Sequence, residues 1–168
     1  MLALIFYLAY NILGVPPTQE VYCHECEVAK QKIVKPKTEL QCLTEVLYFE
    51  SRSLGPQGMA MVAQATLNRH RVFLGTFKTI CDMVYAPSIY KEYYRACTYS
   101  FTCDRKSENM AEPKARHKAH EVAKNALNGK YKNITAGTHF LNCDLASRVS
   151  WTKKMKPAGT DGVHCYYY

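Results

Sequence analysis

At 168 residues the chain is long enough to bury one core and too short for two domains with a linker, and its 48% hydrophobic and 21% charged residues exclude wholesale disorder. The balance of 22 basic to 14 acidic residues gives +8, with no lysine or arginine before Lys30, so the positive field belongs to the body of the chain and calls for an anionic partner. Nucleic acid is disfavoured because the basic residues are scattered and form no compact run interleaved with stacking aromatics. A bacterial envelope, with its anionic polymers, is the other class the charge admits. The eight cysteines, an even number, favour an oxidising compartment.

Met1 to Val15 is almost wholly apolar and is broken by Pro16-Pro17. The run is shorter than the ~20 residues that span a bilayer and about as long as the apolar part of a secretory signal, yet it lacks a positive flank and a small-residue cleavage site. Three readings stay open for residues 1–17: an export signal, an uncleaved membrane-associated anchor, or an apolar arm covered by the fold or a partner. Residues 18–39 read as a polar tether. Cys23 and Cys26 within it have metal-ligand spacing, but no second such pair exists, so a disulfide or free thiols outranks zinc.

From Leu40 the periodicity becomes helical. Leu40, Leu43 and Leu47 form a stripe that Glu50 continues by one turn, which puts a carboxylate where an apolar side chain is due. Beside Tyr48 and Phe49 it would lose water, and desolvation raises a carboxyl pKa toward the range of a proton donor at neutral pH; Arg52 would pull the other way. The plain alternative is a solvated residue at a helix end. Ser53-Leu54-Gly55-Pro56 predicts a turn, followed by a helix that buries Met59, Val62, Ala63, Thr66 and Leu67.

Further on, Ile80, Met83 and Val84 suggest a short helix. Tyr85, Tyr90, Tyr93 and Tyr94 either pack the core edge or stack on sugar rings. Tyr99 to Asp104 is a short polar-aromatic run whose final carboxylate is either a second acid or a turn cap. Pro113 to Asn128 is the clearest helix, with Ala115, Ala119, Val122, Ala123, Ala126 and Leu127 on one face and Gly129 past its end. His117 and His120 on it read as surface residues, lacking the acidic partner a metal site would want. Asn133-Ile134-Thr135 fits a glycosylation sequon, as chance also allows. THFLNCD and VHCYYY, ending at Asp144 and Tyr168, read as two strands that pair. Trp151 between them is a core plug or a carbohydrate platform, and His139 and His164 are structural or catalytic.

The run from Tyr48 to His70, YFESRSLGPQGMAMVAQATLNRH, resembles the signature of the SleB/CwlJ-type cell-wall hydrolases. Glu50 and Arg52 match it, Gly58, Val62, Ala63, Asn68 and Arg69 fall at its intervals, and Tyr99 to Asp104, Gly137-Thr138-His139-Phe140, Trp151 and His164 follow in the family's order. Ser51 in place of alanine, Leu54 in place of a small or acidic residue, and Leu141-Asn142-Cys143 depart from the pattern. The resemblance covers residues 40–168, taken as the catalytic domain. It implies an α+β fold: a mainly helical, lysozyme- or transglycosylase-like body with a small antiparallel sheet from the C-terminal third.

The function implied is cleavage of peptidoglycan glycan strands between N-acetylmuramic acid and N-acetylglucosamine, with Glu50 as general acid and base and no metal or cofactor. Substrate contacts fall to Tyr48, Arg52, Asn68, Ser100, Phe101, Thr102, Asp104, Thr138, His139, Phe140, Trp151 and His164. A lytic transglycosylase is the first expectation. A muramidase using Asp104 as second carboxylate, a metal-dependent amidase using His139 and His164, and a non-enzymatic basic module for anionic polymer are the alternatives. Peptidoglycan is the expected partner, together with a membrane through residues 1–15 and with phage or envelope proteins. The expected location is the envelope, outside the cytoplasm, or a phage particle. Cys81 and Cys103, which border the cleft-lining region that the resemblance implies, are expected to pair.

Overall fold

The computed structural model describes residues 36–87 and 97–168, which belong to one folded unit, Pro36–Tyr168. The apolar segment, Cys23, Cys26, Tyr90, Tyr93 and Tyr94 lie outside the described residues. The architecture is α+β and mainly helical, with one small antiparallel sheet near the C-terminus.

Helix α1, Glu39–Ser51, starts from a capping box in which the Gln41 amide donates to the Thr38 hydroxyl and the Gln41 side chain accepts from the Thr38 amide. Its apolar residues do more than form one stripe. Cys42, Leu43, Val46 and Leu47 are fully buried and Thr44, Glu45, Tyr48 and Ser51 nearly so, which makes α1 the helix the rest wraps. The buried hydroxyls are satisfied by the helix itself, Thr44 donating to Leu40 O at 2.6 Å and Ser51 to Leu47 O at 2.8 Å.

Helix α2, Pro56–Val72, opens with Gly55 at the N-cap and proline in its first turn, and buries Met59, Val62, Ala63 and Thr66 against α1. Helix α3, Ile80–Val84, is capped reciprocally by Thr79 and Asp82. Helix α4, Pro113–Leu127, presents small residues, Ala119, Ala123 and Ala126, and so approaches α1 closely. His117 and His120 are exposed on it.

Strands β1 (His139–Asn142), β2 (Pro157–Thr160) and β3 (His164–Tyr167) form a sheet in the order β1-β3-β2, all antiparallel. The sheet therefore has one strand more than the two-stranded expectation. Pro157-Ala158-Gly159-Thr160 carries no β-branched alternation; it is held as a strand by pairing with β3 across a bulge, not by propensity. β1 stops at Asn142, short of Asp144, because the Asn142 side chain accepts from the Asp144 amide at 2.9 Å and caps a 3₁₀ segment, Cys143–Arg148. Gly137 permits the sheet to meet its lead-in: a Cβ there would stand 2.9 Å from the Cβ of Tyr166.

Among the described residues three disulfides staple this frame: Cys42–Cys81, Cys97–Cys103 and Cys143–Cys165. The expected Cys81–Cys103 pair is corrected. Cys81 lies in α3, which packs on α1 where Cys42 faces inward, with the Cα atoms 5.4 Å apart. Cys103 ends a short turn and reaches only back to Cys97, six residues earlier. Tyr85 belongs to the core edge, its hydroxyl hydrogen-bonded to the buried Glu45, which also accepts from Lys37 at 3.0 Å. Burial and the Glu45 charge push the Tyr85 phenol up to about 12.

Candidate active site

Glu50 occupies the last turn of α1, half-buried, just before the corner that leads into α2. It lines a cleft of about 430 Å³ with Tyr48, Arg52, Ser100, Phe101 and Asp104, closed on the far side by the loop that runs into α4. Aromatic rings pack together in the wall beside Glu50. Phe49 stacks on Phe101 with ring centroids 4.8 Å apart, and Tyr48 meets the edge of Phe49 at 5.0 Å. Ser100 and Phe101 come from a 3₁₀ turn, Ser100–Thr102, between Cys97 and Cys103 of the second disulfide.

Loss of water raises the Glu50 carboxyl above its ordinary value, opposed by the charge of His164 and by a hydrogen bond from Ser100. Sequence reading assigned the opposing charge to Arg52, and that is corrected. The Arg52 guanidinium stands over the Tyr48 ring at 5.1 Å and pairs with Glu112 at 3.3 Å, so its charge is spent at the cleft rim. Tyr48 takes part in the same rim, its hydroxyl accepting from the Glu112 amide at 3.1 Å.

His164 begins β3 and is buried. Its Nδ1 lies 3.1 Å from Asp161 Oδ2, a carboxylate that sequence reading missed. Asp161 also accepts from the amides of Val163 and His164 and from the Tyr166 hydroxyl. Burial would raise this carboxyl, but the donors prevail and hold it below the usual carboxylate value. The signal was present in the sequence as Asp161-Gly162, a turn dipeptide next to a strand; Gly162 has φ +93°.

The other expected residues divide. Phe140 packs between the rings of Tyr99 at 6.3 Å and His164 at 5.3 Å, behind the cleft. Asp104 is exposed and its Oδ1 accepts from the Lys106 amide at 2.9 Å, a turn contact, while it also lines the Glu50 cleft. The Thr102 hydroxyl is turned back onto Tyr99 O at 2.8 Å. Asn68 and Thr138 line a different cleft of about 440 Å³. There Asn68 donates to Thr135 O at 3.0 Å and Gly137 O at 3.1 Å and so ties α2 to the lead-in of β1. His139 is buried between Phe73 and Trp151, centroids 6.4 and 5.7 Å away, with Nδ1 2.9 Å from the Thr138 hydroxyl. Burial, then the charge of Arg69, press its pKa down to about 4. Trp151 meets the Tyr167 ring at 5.4 Å and does not line the Glu50 cleft. Among the described residues no three of His, Cys, Asp or Glu converge to hold a metal ion.

A helical body, a three-stranded sheet and an acid sheltered in the cleft beside them define a small α+β domain with a desolvated carboxyl as its chemical feature. The profile of the family described as Cell Wall Hydrolase matches residues 54–167, and the chain belongs to that family, an assignment that makes it an enzyme acting on peptidoglycan. The matched stretch holds Asp161 and His164 and begins after Glu50. No curated protein and no solved structure matches the chain. Membership fits an exported or cell-wall location, and among the described residues no helix is long and apolar enough to cross a membrane.

Proposed function

We propose that the chain cuts the glycan strand of peptidoglycan between N-acetylmuramic acid and N-acetylglucosamine, with Glu50 as the catalytic acid and base, as a lytic transglycosylase. The observation that carries this is the Glu50 carboxyl itself, raised by burial at the wall of an aromatic-lined cleft. Protonated, it donates to the glycosidic oxygen as that bond breaks. As a carboxylate it then takes the proton of the attacking hydroxyl.

Attack by the muramic acid's own hydroxyl needs no second carboxylate. Asp104 is the other acid on the cleft, and its exposure and its turn contact favour the one-carboxylate route over a water-activating role. The amidase reading finds less support, because among the described residues no third His, Cys, Asp or Glu joins His139 and His164 in a ligand set. The +8 charge suits an anionic wall, and three disulfides suit an oxidising location in the envelope.

Digestion of purified peptidoglycan followed by mass spectrometry tests the reading. The expected product is an anhydro-muropeptide, one water lighter than the hydrolysed form. Hydrolysed muropeptides would transfer the role to a water mechanism with Asp104 as base, and free stem peptides would overturn glycan cleavage altogether.

A further inference from the structure

The turn between β2 and β3 carries a buried carboxylate that the acid–base scheme above does not use. Asp161 receives the Val163 amide at 2.9 Å and the His164 amide at 2.6 Å on Oδ1, and the Tyr166 hydroxyl at 2.7 Å and His164 Nδ1 at 3.1 Å on Oδ2. An ionised carboxylate only accepts, so Nδ1 has to carry a hydrogen to make this contact. Alternation along β3 turns His164 and Tyr166 to the same buried face, which lets one carboxylate take both. The turn itself lies over the start of α2: a Cβ on Gly58 would stand 3.5 Å from the Cβ of Asp161. Gly58 follows the corner just after Glu50, so the Asp161 turn and Glu50 flank the same corner.

We propose that Asp161 is the positioning residue of the site: it fixes His164 in the tautomer with hydrogen on Nδ1, leaving Nε2 as the nitrogen presented to Glu50 and its substrate. The proposal rests on the reading of Glu50 as the catalytic acid. His164 is the group through which Asp161 acts, and it stands near enough to Glu50 to enter the electrostatics of that carboxyl. Tyr166 fixes the carboxylate from behind, and Phe140 fixes the ring plane at 5.3 Å. Carboxylate partners that set the tautomer and orientation of a working imidazole act this way elsewhere.

Two measurements on the full chain test it. In ¹⁵N-labelled wild-type protein without substrate, two-bond correlations should show neutral His164 with hydrogen on Nδ1 and a bare Nε2. Asp161→Asn, whose amide can turn either end to the ring, should lose that preference and lower kcat by ~10- to 100-fold with KM nearly unchanged. Hydrogen on Nε2 in the wild type would overturn the proposal even if the variant failed to fold. A folded Asp161→Asn that keeps both the tautomer and kcat would overturn it as well, as would a changed tautomer with unchanged kcat. The tautomer is read without substrate, so it stands or falls separately from the loss of activity expected of Glu50→Gln.

Discussion

His139 and His164 stand on adjacent strands of one sheet and are equally hidden, 6% and 8% exposed, yet they sit in two regions with different chemistry. His139 has a threonine hydroxyl, Phe73 and Trp151 among its neighbours, and burial with Arg69 suppresses its charge to a pKa of about 4. Around His164 there is a carboxylate at 3.1 Å on one side, and the ring stands near enough to Glu50 to enter the electrostatics of that carboxyl. The difference teaches that burial alone does not make a histidine inert. What matters is also what the fold sets against the ring, and at His164 the β2–β3 turn sets the Asp161 carboxylate within hydrogen-bond distance of Nδ1.

The largest expected effect lies at the Glu50 end. Glu50→Gln is nearly isosteric, so the Phe49–Phe101 stack should survive and the thermal midpoint should hold, while the release of muropeptides falls ~100- to 10,000-fold, the usual value of a proton donor and acceptor. A well-folded variant with wild-type turnover would erase the contrast between the two regions. Next comes the staple beneath α1: serine at both Cys42 and Cys81 should cost roughly 2–5 kcal/mol in a denaturant melt. An unchanged midpoint would mean that α3 is held without it.

The aromatic region responds to pH through stability. Below pH 6.5 the unfolded chain protonates His139, whereas the folded chain resists until about 4. Stability is therefore full above 6.5 and declines as pH falls through this window, by up to about 3 kcal/mol. His139→Gln should flatten the decline in urea melts at pH 7 and pH 4.5, and equal slopes in both proteins would remove the suppressed charge from the account. At the small end, Asp104→Asn should change stability by about 0.5 kcal/mol or less and leave turnover near wild type. A loss as large as that of Glu50→Gln would make Asp104 a second catalytic carboxylate.

Much of the body was legible in the sequence because helices announce themselves locally. The leucine spacing before Glu50, Gly55-Pro56 at the corner, and Pro113 with its alanine face named α1, α2 and α4. The desolvation of Glu50 was legible for the same reason, as an acid on an apolar stripe. What escaped was whatever depends on a partner distant in the chain. Arg52 looked like Glu50's opposing charge, but Glu112 lies 60 residues on and takes it. Cys81 found Cys42 through the packing of α3 on α1, and strand β2 exists only because β3 pairs with it. Asn68 was read as a substrate contact on a helix face, and its amide reaches the carbonyls of Thr135 and Gly137. Asp161 drew no reading from the sequence, because only the fold sets it against His164.

The central claim is that Glu50 is held as a proton donor, and a ¹³C titration of its side-chain carboxyl in the folded chain tests that most directly when laid over the pH profile of kcat. Burial should place the titration above the ordinary carboxyl value of 4.5, and kcat should fall as pH rises through that same midpoint, with the limb absent from Glu50→Gln. A Glu50 carboxyl that titrates at or below 4.5, or a kcat profile with no limb at its midpoint, would contradict the account.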